Sequence, residues 1–511
     1  MQIFARIDNQ CKRVREENIR IIFGLKIRQL RQAERFSLAA LAKETGMSAS
    51  YLNEIEKGKK YPKTEKIVLL SKVLKVPYDE LVSLKLSSYL APLNDLLTSK
   101  LITDLPLNIF GFDLGKMIES VYDSPAKVGA FISTIVEIAR EYDNHKGDFY
   151  FKALRSYQEI NENYFEELEK GVDTFIKQYG FPTDSPVEYE MIVNILRDKF
   201  SYQVENIALE EFPELASSRY VFIPNTKKNQ LLLNPNLSPT QKLFIVGREL
   251  AFNMLEIKDR PHYSMLLEVD SFDHMLNSFR ASYCAMAFAI NRKILINDLE
   301  ILFSKQTWDA DLFIETFKRY KVSPELLFSR ILGLLPRFFG IKDTFFIRLQ
   351  NHPKQDKILL TKQIQLGNTK DSHIKNVYEH HCRRWVSIKL LDKLKQQQAK
   401  GKEPTMVADI QRSQYMDSDG EFLCIAIARP MAPTPDLNAV TVLGVRLNST
   451  ARKKIRFWND AQIPRVEVNN VCERCTWTEC PDRSVPPTQI LAKEKSDKIK
   501  EALGKLKRSR S

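Results

Sequence analysis

Three cysteines near the C-terminus, Cys472, Cys475 and Cys480, are the residues best placed by type and spacing to do chemistry. Cys-x2-Cys puts two thiolates on one tight turn, and a third after four residues can close over the same ion or cluster. A reducing cytosol disfavours disulfides, so the group reads first as a metal site. The fourth ligand must come from elsewhere. Cys382, in His-His-Cys-Arg-Arg-Trp, is the candidate, because Cys11 lies on a terminal arm, Cys284 on an apolar helix and Cys424 on an apolar strand. Free cysteines in apolar settings are usually small buried hydrophobes. Four thiolates suit either zinc or an iron–sulfur cluster, and ligand chemistry leaves both open. Three bare thiols so close together would be an oxidation liability.

A second constellation is defined by what has been replaced. Zinc peptidases of the ImmA/IrrE type carry His-Glu-x-x-His, in which the two His share one helix face and bind zinc while the Glu polarises water. The helix LFIVGRELAFNML resembles that element. Its frame is Arg248-Glu249-Leu250-Ala251-Phe252, so Glu249 is kept and both ligand positions are lost. The helix SFRASYCAMAFA resembles the second helix of those enzymes, and its acidic ligand falls at Ser278. A catalytic zinc needs about three protein ligands. No catalytic residue is therefore assigned, and a non-enzyme is expected.

Charge singles out a third region. The chain of 511 residues has 77 Lys and Arg against 64 Asp and Glu, a net of +13. Residues 20–82 hold 13 against 7, a net of +6, and residues 493–510 hold 8 against 3, a net of +5. The long middle is nearly neutral. A DNA-binding head and a basic tail fit that distribution, because phosphate contacts require clustered cations.

The elements that must carry these residues follow from periodicity and caps. The length implies several domains. No apolar run approaches the roughly 20 residues of a membrane span, and the first residues lack the apolar centre of a signal peptide, so a cytoplasmic protein without a membrane partner is expected. Residues 20–82 read as five short helices. Ser37 and Ser48 cap the second and third, and Gly46 and Gly58 end them. Two helices joined by a tight Gly turn make a helix-turn-helix. Residues 83–186 read as a helical linker, with Pro182 and Pro186 near its end. Residues 187–305 read as mixed, with strands at RYVFIP and QLLLNP. In residues 306–490, FFIRLQ, ILLTKQIQL, EFLCIAIAR and AVTVLGVRL alternate as strands do. The tail is 491–511. The fold class expected is multidomain, α plus α/β.

The head, LKIRQLRQAERFSLAALAKETGMSASYLNEIEKGKKYPKTEKIVLLSKVLKV, resembles the Xre or lambda-repressor-like DNA-binding domain. The resemblance implies that the third helix enters the major groove of double-stranded DNA. It places Ala49, Ser50 and Glu54 at base-reading positions, Lys57, Lys59 and Lys60 toward phosphates, and Ser48 and Asn53 on the same DNA-binding surface. It also implies a pair between Arg31 and Glu56. The family often has Gln where this chain has Leu38, and Ala and Ser at reading positions leave few bidentate base contacts, so shape and phosphates should carry much of the specificity.

The Cys-rich segment, with Arg483, Pro486 and Cys382, resembles the C-terminal domain of short-chain fatty acyl-CoA regulators. Head, degenerate peptidase-like region and cysteines follow in the same order across residues 27–487. This resemblance implies a transcription factor that binds a short-chain acyl-CoA, forms a homodimer, and holds a 4Fe-4S cluster on Cys382, Cys472, Cys475 and Cys480, with zinc as the alternative. Readings from other classes are an ImmA/IrrE-type peptidase acting on a repressor, and a phage-immunity or toxin–antitoxin interaction protein.

Overall fold

The computed structural model describes residues 19–20, 22–83, 146–182, 185–207, 212, 215, 218–225, 227–263, 271–351, 358–367, 380–400, 406–416, 420–431 and 437–510. The chain divides into two compact units, residues 1–157 with 267–277, and residues 158–266 with 278–511. Most of the expected linker, and Cys11, lie outside the described residues.

The first unit holds the five expected helices: α1 (22–33), α2 (Leu38–Thr45), α3 (Ala49–Glu56), α4 (Thr64–Val73) and α5 (Tyr78–Val82). Ser37 Oγ accepts from Ala40 N at 3.0 Å and Ser48 Oγ accepts from Tyr51 N at 3.1 Å, which satisfies donors that each helix start would otherwise leave free. Gly46 and Gly58 turn the chain with φ of 62° and 67°. Ile27, Leu41, Leu52, Ile55, Leu70 and Leu81 close one core. Gly24 lets α1 approach α3, since a Cβ there would meet the Ile55 carbonyl at 2.2 Å. α6 (Lys146–Ile160) is the next described helix along the chain.

In the second unit, α7 (Glu166–Tyr179) and α8 (Tyr189–Phe200) precede a three-stranded sheet. Its strands β1 (Tyr202–Asn206), β2 (Tyr220–Ile223) and β3 (Asn229–Leu233) lie in the order β1-β3-β2, with β1 parallel to β3. α9 (Pro239–Met254), opened by a capping box of Ser238 and Gln241, carries the peptidase-like frame. α10 (Phe272–Ala289), α11 (Arg292–Ser304), α12 (Ala310–Lys318) and α13 (Pro324–Leu334) follow.

A six-stranded sheet closes this unit, in the order β5-β4-β8-β7-β6-β9. Its strands are β4 (Thr344–Asn351), β5 (Ile358–Leu366), β6 (Val407–Tyr415), β7 (Glu421–Pro430), β8 (Asn438–Arg446) and β9 (Arg465–Val468). α14 (Val386–Ala399) buries Ile388, Leu391 and Leu394 against Phe345, Leu349, Phe422 and Val442 on one face. α13 packs on β4 and β8. Among the described residues of this sheet, β6 and β9 alone pair in parallel. The region expected to be α/β is therefore α+β. Short links join β4 to β5, β6 to β7 and β7 to β8, and parallel neighbours would need crossovers of a dozen residues or more. α15 (Ser449–Lys454) follows β8, and the basic tail is a helix, α16 (Thr488–Arg510).

Candidate nucleic-acid interface and cysteine site

Cys382 reaches the other cysteines through a short antiparallel pairing. Cys472 N donates to His380 O at 2.9 Å, and Cys382 N donates to Asn470 O at 3.1 Å. Trp385, buried on α14's first turn side, fixes the same strand by donating Nε1 to Asn469 O at 2.9 Å. Cys382, Cys472, Cys475 and Cys480 consequently line one cleft. The first three are buried and Cys480 is half-buried. Arg483 holds the triad's loop: it donates to Cys472 O at 2.8 Å, to Cys475 O at 3.2 Å and to Trp477 O. Arg384 covers the Trp477 ring at 4.5 Å.

Burial pushes the Cys382 thiol above its ordinary value, and the neighbouring Cys472 and Cys475 add to this against backbone hydrogen bonds from Asn469 and Arg384. Burial also raises Cys475, opposed by Trp477 and by the charge of Arg483. A cation binding at Cys382 and Cys475 would have to displace the protons that burial favours there. Among the described residues, no three His, Cys, Asp or Glu side chains are drawn together tightly enough to hold a metal ion as they stand. Three buried sulfurs and a half-buried fourth line the cleft, with backbone N–H groups directed at Cys382 and Cys475, a donor set of the kind that soft cations and iron–sulfur clusters take.

The peptidase-like frame carries a different arrangement. Glu249 is buried, and its Oε2 accepts from Arg260 Nη1 at 2.8 Å and from Tyr202 OH at 3.2 Å. Arg260 also donates to Tyr202 OH at 2.7 Å and lies over the Phe222 ring at 3.8 Å. Burial raises the Glu249 carboxyl, with Arg260 and Arg248 opposing. On the same helix, the Arg248 guanidinium sits 5.5 Å from the centre of the Phe252 ring. The Arg260 guanidinium therefore faces the buried Glu249 carboxylate.

In the head, Ser48, Ala49, Ser50, Asn53, Lys57, Lys59 and Lys60 are exposed and Glu54 is half-exposed, all on α3, its N-cap or the turn after it. Arg31 and Glu56 form the expected pair, Nε to Oε1 at 2.6 Å and Nη2 to Oε2 at 2.9 Å, and Arg31 Nη1 also donates to Phe36 O at 2.9 Å. Leu38 packs on the core from the start of α2. Lys60 and Glu54 are engaged with each other at 2.8 Å. That bond raises the Lys60 ammonium above its ordinary value.

The helix-turn-helix family model matches residues 27–81. The head is a helix-turn-helix domain. The chain is 40% identical over 62 residues to RghRB, an uncharacterized HTH-type transcriptional regulator of Bacillus subtilis (strain 168). That match spans 12% of this chain and 45% of the relative, under half of its length. The solved structure of a Mycobacterium tuberculosis transcriptional regulator is 19% identical, with a TM-score of 0.47, over 66% of this chain and 93% of that one.

Two residues, one in each unit, escape sequence reasoning. Lys26 is buried on α1 and donates to Glu80 O at 2.6 Å, Ser83 O at 2.6 Å and Ser83 Oγ at 2.7 Å, so it anchors the domain's exit. Nothing in its sequence neighbourhood marks it. Arg260 is likewise visible only once tertiary structure brings it to Glu249. Among the described residues, no helix is long and apolar enough to cross a membrane.

Proposed function

We propose that the protein is a DNA-binding transcriptional regulator, working in the cytoplasm as a homodimer and controlled by a short-chain acyl-CoA. The observation that carries this reading is the helix-turn-helix domain with an exposed, capped α3 followed by Lys57, Lys59 and Lys60. α3 lies in the major groove, Ser48, Ala49, Ser50 and Asn53 approach base edges, and the lysines neutralise phosphates. Glu54 limits what Lys60 can give to a phosphate until the two part.

The acyl-CoA and the cluster come from the resemblance of the Cys-rich segment. Cys382, Cys472, Cys475 and Cys480 would hold a 4Fe-4S cluster, which would supply an oxidant-sensitive cross-link between the strand before α14 and the segment before α16. Arg483 holds the carbonyls of Cys472 and Cys475 in that loop. The peptidase-like region is read as non-catalytic, because Arg260 and Tyr202 occupy the carboxylate of Glu249. An acyl-CoA that binds one conformation of the second unit better than another would shift DNA affinity by that difference. The test is a mobility-shift titration of a selected duplex with and without butyryl-CoA. A shifted midpoint supports the reading, and superimposable curves reject ligand control.

A further inference from the structure

The six-stranded sheet carries a group of cations that neither the DNA interface nor the cysteine site uses. Arg348 of β4 stands opposite Lys362 of β5 in the antiparallel register. Across the sheet the same row runs through Thr441 of β8 to Ile427 of β7, and Arg429 lies two residues further along on the same face. α13 directs one carboxylate here, Glu325 in its first turn. Its oxygens lie 3.3 Å from Arg348 Nε and 3.4 Å from Lys362 Nζ, longer than a closed charge-assisted bond. Arg219, just before β2, brings a fourth charge within electrostatic reach of Glu325 and Arg429. Among the described residues, Arg348, Lys362 and Arg429 face one carboxylate, Glu325.

Hydrogen bonding shows the same surplus. Arg348 donates to Thr361 Oγ1 at 3.1 Å and to the thioether of Met431 at 3.2 Å, a weak acceptor. Arg429 is half-buried, and among the described residues it finds the carbonyl of its neighbour Pro430 at 3.4 Å and no carboxylate. Burial, then the charges of Arg348 and Arg219, hold its guanidinium below its ordinary value against the pull of Glu325. A guanidinium withdrawn from water without an anion is costly, and an incoming anion would remove that cost.

We propose that Arg348, Lys362 and Arg429 form a binding site for the phosphate group of a small molecule, which competes with Glu325 for them. Guanidinium forks match phosphate oxygens two at a time, and Lys362 adds a point charge. The Arg348 side chain is 18% exposed and Glu325 32% exposed, so both stay within reach of a solute. The inference rests on the ligand-controlled reading for its regulatory meaning, whereas the binding stands by itself.

The experiment is calorimetric titration of the full chain with inorganic pyrophosphate. Wild type should saturate at one site. Arg348→Gln with Arg429→Gln should weaken binding at least about tenfold, the effect of losing charge-assisted hydrogen bonds. Glu325→Gln should tighten it, a gain that a misfolded variant could not give. No saturation by wild type, or equal affinity in all three proteins, overturns the proposal. So does a loss of duplex affinity in the double variant with pyrophosphate binding unchanged, which would make the patch a nucleic-acid surface. Pyrophosphate binding as described, with butyryl-CoA leaving DNA affinity unmoved, keeps the site and removes ligand control.

Discussion

Arg31 and Glu56 meet through two parallel hydrogen bonds, 2.6 Å and 2.9 Å long, that tie the first helix of the DNA-binding domain to the end of the third. Both side chains are largely shielded, at 12% and 3% exposure, so removing one partner strands the other's charge. Arg31→Met should cost about 3–5 kcal/mol of domain stability, and Arg31→Met with Glu56→Met should recover much of it. Thermal melts of the single and double variants check this. A double variant no better than the sum of the singles contradicts it.

Gly24 makes the same junction possible at the backbone. Because an added Cβ would meet the Ile55 carbonyl at 2.2 Å, Gly24→Ala must push α1 away from α3. The expected outcome is a lower melting temperature with duplex affinity lost alongside it, since α3 no longer has its support. Unchanged melting would show that the helices can part without cost.

The pair of Lys60 and Glu54 gives a prediction of opposite sign. Glu54→Gln should free Lys60 for phosphate, raising duplex affinity and steepening the log–log salt slope by up to about 0.9. Anisotropy titrations across a salt series read the slope directly. A weaker complex would mean instead that Glu54 accepts a hydrogen bond from a base.

Much of the DNA-binding domain was legible because its stops and starts are local. Ser37, Gly46, Ser48 and Gly58 act on their own turns, and the domain formed where they indicated. The strands β4, β5, β7 and β8 were legible for the same reason, since alternation is written in consecutive residues. β1 and β6 were not. Tyr202–Asn206 is short and mostly polar, and Val407–Tyr415 carries Asp409, Gln411, Arg412 and Gln414. Their pairing with β3 and β7 decides their state. The Lys26 anchor and the Arg260–Glu249 pair join residues 57 and 11 positions apart, and only the fold brings them together.

Acid should weaken the second unit through Glu169. Burial raises this carboxyl, but Arg330, Tyr283 and Arg292 outweigh it and leave it below its ordinary 4.5. A depressed carboxyl contributes stability above the unfolded value, and that contribution is lost as pH falls through the folded one. Melting temperature should therefore drop below about pH 4.5, and Glu169→Gln should flatten that part of the profile while lowering stability at pH 7. A wild-type profile that stays level to pH 3 contradicts this.

At the cysteine site, Cys475→Ser should abolish the visible absorption of anaerobically purified protein and its iron content, while Arg483→Met should lower both by loosening the loop that presents Cys472 and Cys475. Colourless wild-type protein carrying one equivalent of zinc would replace the cluster with the alternative metal.

The central claim is that α3 and its lysines read DNA, and a paired affinity measurement tests it most directly. A duplex selected from a random pool is compared with an unrelated duplex for wild type, Ser50→Ala with Asn53→Ala, and Lys57→Ala with Lys59→Ala. The lysine variant should lose affinity for both duplexes alike and reduce the salt slope by about 1.8, two phosphate contacts' worth. The α3 variant should narrow the gap between the two duplexes, as expected for residues at base edges. Both variants matching wild type on both duplexes would contradict the account.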